Sequence, residues 1–239
     1  MSGWLRVLAA ERLKLRRTFA VGLAALGPTG VIALQAVHFG IRYEYLMDLY
    51  ASDLWGGLLW NVTWLAVPTL MVGIAIVASL AAGYEHATNA WKQTLALPVS
   101  RTAVYTAKLA VLVMLLTGSC ALLAIGTVGL GWALGFGAAV PITDVLGASF
   151  VPLAAALPFA ALQTWLSIAL KHQAAPLTVG ILGTVVSMFA PMLADWAPWT
   201  WPYAWFEGVP AATAAAAGAA TGAALWAAGA LHFKRKDVS

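Results

Sequence analysis

The side chains that could bind a metal or act as a nucleophile are few and lie far apart in this sequence. The four histidines are His38, His86, His172 and His232, and the one cysteine is Cys120. Zinc sites draw their nitrogen and sulfur ligands from closely spaced pairs, and no such pair occurs here. A single thiol can neither close a disulfide within the chain nor hold a metal by itself. The sequence therefore predicts no metal or cofactor bound by this chain.

The apolar stretches of the chain contain almost no ionisable groups. Their polar members are mainly Gln35, His38, Asn61 and Gln163. Ion pumps, secondary transporters and intramembrane enzymes depend on charged side chains that face one another inside the bilayer, and the sequence shows no such pairs. It also lacks the GxSxG, HExxH and GxxxxGK(S/T) motifs of hydrolases, metalloproteases and phosphate-binding loops. Any active process must therefore draw its energy from another polypeptide.

The composition of the chain is typical of a membrane protein. Of its 239 residues, 62% are hydrophobic and 9% are charged, whereas soluble domains carry about 25% charged residues. An ordinary cytosolic enzyme, a disordered chain and a disulfide-stapled secreted domain are excluded. The formal net charge of +4 would favour nucleic acid as the partner of a soluble protein. Here the position of the charges matters more than their sum, and we expect no nucleic-acid partner.

Six stretches are long and apolar enough to cross a bilayer as helices, which takes about 20 residues. They predict an all-α, polytopic fold with a single transmembrane domain over residues 1–239. Their approximate bounds are 19–39, 58–84, 104–137, 145–170, 174–193 and 211–233.

The charges between these stretches predict their orientation. With six spans, all but Arg42 of the 13 lysines and arginines fall on one side of the membrane. Because cytoplasmic loops carry the excess of basic residues, both termini are predicted in the cytoplasm. The tryptophan-rich residues 195–207 then form an outer interfacial segment, which is either an aromatic anchor or a substrate gate.

Residues 3–17 predict a basic amphipathic helix on the inner leaflet of the membrane. Trp4, Leu8 and Leu15 share one face of this helix. Arg6, Lys14 and Arg17 are expected to point mostly away from that face. Glu11 projects into the apolar stripe, where a lone carboxylate requires a cationic partner. The alternative is a solvated basic flank of the first span.

Residues 86–97 predict a second cytoplasmic helix, which follows the second span. Trp91 and Leu95 form an apolar edge on it, Pro98 ends it, and Ser100 is placed to cap the next helix. A short helix that presents Trp and Leu suits docking into the groove of a partner. Without a partner, the same segment would be a helix at the membrane interface.

These two blocks together resemble the ABC-2 type permeases, the membrane subunits of ATP-binding-cassette exporters. The resemblance is carried by Glu11–Arg17 and by the run from Glu85 through Trp91, Pro98 and Arg101 to Lys108. Chain length, six spans and cytoplasmic termini agree with it over essentially the whole sequence. The closest similarity is to the small permeases of the lantibiotic-protection and peptide-export branch.

The resemblance implies a non-catalytic subunit that is driven by two copies of a separate ABC ATPase, which binds Mg-ATP. It also implies a second permease chain, identical or related. Residues 3–17 correspond to the connecting helix, and residues 86–97 correspond to the coupling helix that inserts into the ATPase. The implied ATPase contacts are His86, Asn89, Trp91, Lys92, Thr94, Leu95 and Pro98.

A few further residues are predicted to hold these parts together. Glu85 and Arg101 are expected to form a salt bridge that stabilises the coupling loop, and Glu11 is expected to pair with a nearby lysine or arginine. Gly218 and Gly222, spaced four apart in the last span, predict a close contact between helices, either within the chain or between two copies.

The predicted function is export of an amphipathic or lipophilic compound, such as a peptide, an antibiotic or a lipid-like molecule. Spans without fixed charge would solvate a highly charged cargo poorly. Membrane lipid is a further expected partner. The resemblance alone implies the outward direction and a role in self-immunity. The alternative function is a membrane scaffold or assembly factor that has no ATPase partner.

Overall fold

The computed structural model of the protein describes residues 3–16, 18–87, 99–194, 196–204 and 209–235. The described residues form helices and turns and include no β-strand, which confirms the all-α prediction. The helices are α1 Gly3–Arg16, α2 Ala20–Ile41, α3 Tyr43–Leu49, α4 Leu54–Ala87, α5 Arg101–Ala133, α6 Ile142–Ala155, α7 Leu157–Ala169, α8 Ala174–Met188 and α9 Ala211–Arg235. Two short 3-10 helices cover Ala190–Met192 and Trp201–Tyr203.

Among the described residues, four helices are long and apolar enough to cross a membrane, namely α2, α4 over Leu54–Gly83, α5 and α9. α6 and α7 together form a fifth candidate that is bent by 43°. α8 is apolar but has only 15 residues, so it rises about 22 Å against a hydrocarbon core of about 30 Å. The structure therefore contains four or five candidate spans in the regions where the sequence predicted six.

α4 and α5 form the centre of the helical bundle. α4 packs against α2, α5, α6, α7 and α8, and α5 also packs against α1 and α9. Met71 and Ile74 of α4 meet Leu112 and Leu116 of α5 in the largest apolar cluster. α5 begins where the sequence predicted, because the Ser100 hydroxyl accepts a hydrogen bond from the backbone nitrogen three residues later, at 3.1 Å.

The expected fourth span, 145–170, is broken near its middle. Pro158, the second residue of α7, has no amide hydrogen to donate to the carbonyl of Ala154, four residues earlier. The missing hydrogen bond weakens the helix at this point, and Ala156 separates α6 from α7. The break makes two short helices out of one apolar stretch.

α9 packs against this bend through its glycines. A β-carbon on Gly218 would collide with the backbone of Ala154 and Ala155, and one on Gly222 would lie 2.9 Å from Cβ of Leu157. Both glycines are buried. The close contact predicted for this pair therefore lies within the chain.

The predicted outer segment, 195–207, is partly packed onto the bundle. Tyr203 is 3% exposed, and its ring meets Trp64 of α4 edge-on with the centroids 5.8 Å apart. Trp199 of the same segment lies over α8, with its Nε1 3.3 Å from the position of an added β-carbon on Gly183. Trp196, by contrast, is 79% exposed. One part of the segment thus covers α4 and α8, and the other presents an indole to the surroundings.

The contact of α9 with the bend predicts the effect of enlarging Gly218. Gly218→Leu would push a side chain into the backbone of Ala154 and should destabilise the protein by about 3 kcal/mol or more. Ala219→Leu, at the exposed neighbouring position, should leave stability nearly unchanged. Thermal unfolding of the two variants in the same detergent measures the difference. Equal unfolding temperatures would contradict the packing of α9 on the bend.

Candidate functional site: a buried ring of four charges

α1 packs onto the body of the protein through one face. Its buried or half-buried side chains are Val7, Leu8, Glu11, Lys14 and Leu15, and their spacing of three and four residues places them on one side of a helix. Leu15 is 5% exposed and belongs to the apolar cluster of α4 and α5. An otherwise apolar face thus carries one carboxylate and one ammonium group into the protein.

Glu11 and Lys14 meet Glu85 of α4 and Lys108 of α5 in a closed ring of alternating charges, here called the charge ring. Lys14 Nζ lies 2.7 Å from Glu11 Oε1 and 2.8 Å from Glu85 Oε1. Lys108 Nζ lies 2.9 Å from Glu11 Oε2 and 2.5 Å from Glu85 Oε2. Each carboxylate oxygen therefore has an ammonium neighbour, and the formal charge of the ring is zero.

The charge ring is largely enclosed by the protein. The side chains of Glu85, Lys108 and Glu11 are 0%, 2% and 6% exposed, and that of Lys14 is 32% exposed. Lys108 also donates to the backbone carbonyl of Ala81, at 3.0 Å. Removing a charged group from water costs several kcal/mol, so such a set is stable only when its members pair with one another. Loss of any one member would leave a buried charge without its partner.

The ring keeps its α1 members ionised. Burial by itself raises the pKa of the Glu11 carboxyl, but Lys108 and Lys14 outweigh this effect and hold that pKa below its ordinary value. Burial likewise lowers the pKa of the Lys14 ammonium, but its hydrogen bonds to Glu11 and Glu85 raise the pKa above its ordinary value. Both groups therefore carry their full charges around neutral pH.

Of the three charged residues predicted to hold the coupling loop, two meet in the ring. The partners of Glu85 are Lys14 and Lys108 rather than the predicted Arg101. Arg101 is the first residue of α5, and its Nη1 donates to the backbone carbonyl of Lys234 in α9, at 3.4 Å. Glu85 meets Lys108 instead of Arg101 because Lys108 lies two turns, about 10 Å, further along α5. The expectation that Glu11 pairs with a nearby lysine agrees with its two contacts.

Lys14 and Lys108 are the members of the ring that the sequence analysis missed. Lys108 shares the buried face of α5 with Val104 and Leu112, so a lysine within an apolar stripe was the available signal. Lys14 was expected to point mostly away from the packed face. Its spacing of three residues from Glu11 instead places both on the same side of α1.

The charge ring joins the two helices that flank residues 88–98. Glu85 lies near the end of α4, before this segment, and Lys108 lies in α5, after it. His86, also near the end of α4, has Nε2 3.1 Å from the backbone carbonyl oxygen of Ser167 in α7. The other predicted ATPase contacts lie outside the described residues, namely Asn89, Trp91, Lys92, Thr94, Leu95 and Pro98.

Polar side chains within the apolar helices make contacts between helices. Gln35 Nε2 of α2 donates to the backbone carbonyl of Asn61 in α4, at 2.8 Å. Gln163 of α7, in the amide orientation that satisfies both of its polar atoms, donates to the Pro176 carbonyl at 3.1 Å and accepts from the Gly180 amide at 2.9 Å. Such bonds hold helices together without placing a charge in the spans. Within the described ranges, no group of three or more His, Cys, Asp or Glu residues could hold a metal ion.

The apolar helices and the charge ring define a multi-pass membrane protein whose N-terminal helix is fixed to its spans by ion pairs. A family model described as ABC-2 family transporter protein matches residues 7–187, and the chain belongs to that family. The matched region contains all four members of the charge ring. Members of this family are membrane components of transport systems and generally work with an ABC ATPase. No curated protein and no solved structure was found to match the chain.

The charge balance of the ring predicts a non-additive response to mutation. Lys108→Met would leave two buried carboxylates that share one ammonium group, which should cost about 3–5 kcal/mol. Adding Glu11→Gln restores a neutral pair of Lys14 and Glu85, so the double variant should recover about 1–3 kcal/mol. Chemical unfolding in detergent measures both, with Arg12→Met, an exposed position of α1, as the control. Strictly additive effects would contradict a closed ring.

The pKa directions predict how the docking of α1 depends on pH. The pKa of Glu11 lies below its ordinary value of 4.5, so its contribution is complete above about pH 5 and is lost as the pH falls through the lowered pKa. The pKa of Lys14 lies above 10.5, so its contribution is lost only as the pH rises through that higher value. Hydrogen exchange of the α1 amides should therefore stay constant from about pH 5 to 9, after correction for intrinsic rates, and accelerate in stronger acid. An equal acid response in Glu11→Gln would refute this assignment.

Proposed function

We propose that the chain is the transmembrane permease subunit of an ATP-driven exporter, in which the charge ring transmits the movement of an ATPase to the spans. The observation that supports this most is the placement of the ring. It ties α1 to the helices on both sides of residues 88–98, most of the segment that the resemblance assigns to the coupling helix. Family membership supports an ATPase partner.

The proposed topology has six spans and both termini in the cytoplasm of a bacterial cell. In this topology the bent pair of α6 and α7 is one span. α8 completes another with the 3-10 helix Ala190–Met192 that follows it. The distribution of basic residues favours this orientation, which places the charge ring at the cytoplasmic end of α4 and α5. The connecting helix, residues 3–17 in this proposal, then lies where an ATPase would approach.

The charge ring explains how a force applied to a short segment would reach the membrane. Glu85 stands directly before the proposed coupling helix, residues 86–97. A push on that helix acts on the Glu85 carboxylate, whose oxygens contact Lys14 of α1 and Lys108 of α5. Separating these buried charges would cost more than moving the helices together. The ends of α1, α4 and α5 therefore respond to the ATPase as one body.

The proposed assembly contains two copies of the ABC ATPase, each binding Mg-ATP, and a second permease chain that is identical or related. The proposed cargo is an amphipathic or lipophilic compound, such as a peptide, an antibiotic or a lipid-like molecule, that leaves the cytoplasm or the inner leaflet. The spans favour such a cargo because a highly charged one would lose its hydration without compensation. Protection of the cell against a compound of this kind is the role we propose.

The contact with the ATPase is tested by mutating the apolar edge of residues 86–97. We expect Trp91→Ala and Leu95→Asp each to reduce co-purification of an ABC ATPase that is co-expressed with this chain by tenfold or more, about 1.4 kcal/mol. Trp196→Ala removes an exposed tryptophan from the other end of the bundle and should leave binding unchanged. Retention of the ATPase by both variants would contradict the proposed docking helix. Failure of the unmodified chain to retain any ATPase would favour the scaffold alternative.

The transmission role of the charge ring is tested separately from binding. The neutral double variant Glu11→Gln with Lys108→Met unlinks α1 from α5 but leaves residues 86–97 unchanged. It should retain the ATPase and hydrolyse ATP, while extrusion of a lipophilic dye from proteoliposomes falls about tenfold or more. Unimpaired extrusion by a stably folded double variant would show that the ring is structural only.

A further inference from the structure

A narrow cleft lies among α2, α4, α5 and α6, at the level of the membrane spans. The cleft holds about 50 Å³ of free space, far below the volume of about 300–1,000 Å³ that is usual for sites of compact small molecules, so only a slender group would fit. No charged residue is among its described lining residues. Representative lining residues are Gly27, Thr69, Gly73, Leu116, Cys120 and Ala148.

Small residues create the space in this cleft. Gly73 of α4 has so much room that an added β-carbon would lie 4.0 Å from the nearest side-chain atom, Cδ2 of Leu116. A longer side chain at Gly73 would therefore extend into the cleft without first meeting the backbone of another helix. The cleft is a consequence of residue size at the crossing of these helices.

Of the three hydroxyl residues that line the cleft, Thr69, Ser119 and Ser149, the first two are engaged in hydrogen bonds. Pro28 lacks an amide hydrogen, so it leaves the carbonyl of Ala24 without its usual donor within α2. Ser119 of α5 supplies the missing donor, with its Oγ 2.6 Å from that carbonyl oxygen. Thr69 Oγ1 donates to the carbonyl of Leu65 in its own helix, at 2.8 Å. A ligand in the cleft would thus meet two hydroxyl groups that have already used their donors within the protein.

The mouth of the cleft is bordered by α2. Leu23, which lines the cleft, is 36% exposed, and Leu26 on the same helix is 63% exposed. In a membrane, hydrocarbon surrounds such side chains. Empty apolar space forfeits dispersion contacts, and a polar ligand would lose its hydration there without gaining partners. The chemistry of the cleft therefore matches a hydrocarbon chain that enters from the bilayer.

We propose that this cleft binds one acyl chain of a bilayer phospholipid. Val77 and Leu116, at one end of the cleft, lie about 12 Å along their helices from Glu85 and Lys108. The bound chain thus occupies the same pair of helices, α4 and α5, that the charge ring joins. The site is defined by the spans alone and does not depend on an ATPase partner.

Photo-cross-linking tests this site in the full-length chain. The chain is reconstituted in nanodiscs that contain a phosphatidylcholine with a diazirine at the middle of one acyl chain, and the adducts are mapped by mass spectrometry after irradiation. We expect adducts on cleft residues of all four helices, above the level at exposed positions such as Ile125. Gly73→Leu should lower the cleft adducts about tenfold, a loss of about 1.4 kcal/mol, without changing those at Ile125.

The matched control is Gly118→Leu, which makes the same change at an exposed position of α5 with no neighbour within 4 Å. It should label like the unmodified chain. If Gly73→Leu unfolds, Gly73→Ala, whose β-carbon fits, should still lower the cleft adducts measurably. Equal cleft labelling of the unmodified chain and a folded Gly73 variant would overturn the proposal. Labelling by a diazirine palmitate but not by the phospholipid would also overturn it, because the occupant would then be a free amphiphile.

Discussion

The structure depends on the requirement that buried charges be fully paired. Two carboxylates and two ammonium groups meet where α1, α4 and α5 converge, and each carboxylate oxygen has a cationic neighbour within 2.9 Å. The four ion pairs together offset the free-energy cost of removing these charges from water, which no single pair in the ring would offset by itself. It also fixes three helices from distant parts of the sequence at one distance from one another. The apolar contacts of Leu8 and Leu15 then hold α1 against the bundle without defining its register alone.

Local signals in the sequence were sufficient to predict where the long helices lie. They could not predict which charged residues pair when those residues are far apart in the sequence. Apolar runs located the long helices, and Ser100 marked the start of α5. Glu11 was recognised as a carboxylate in need of a cation, because it interrupts an apolar stripe. Its partner Lys108 was not, because the approach of α1 to α5 depends on tertiary packing. The break at Ala156 was also missed, because a length criterion for apolar runs takes no account of Pro158.

Glycine has opposite effects at two places in this bundle, and the facing residue decides which. Gly218 of α9 faces the backbone at the bend between α6 and α7, so the absence of a side chain allows the two to make close contact. Gly73 of α4 faces Leu116 without touching it, so the absence of a side chain leaves open space between the two helices. One glycine tightens the fold and the other opens a cleft in it. A spacing motif such as GxxxG shows where the glycines are, but it does not show which residues of the neighbouring helix lie opposite them.

The neutrality of the charge ring has an electrical consequence. Moving one elementary charge through the full membrane potential requires about 2.3 kcal/mol per 100 mV. Two acids and two amines that travel together carry no net charge through the field, so their displacement does almost no electrical work. Displacing these four groups together would therefore require about the same free energy in an energised and in a depolarised cell.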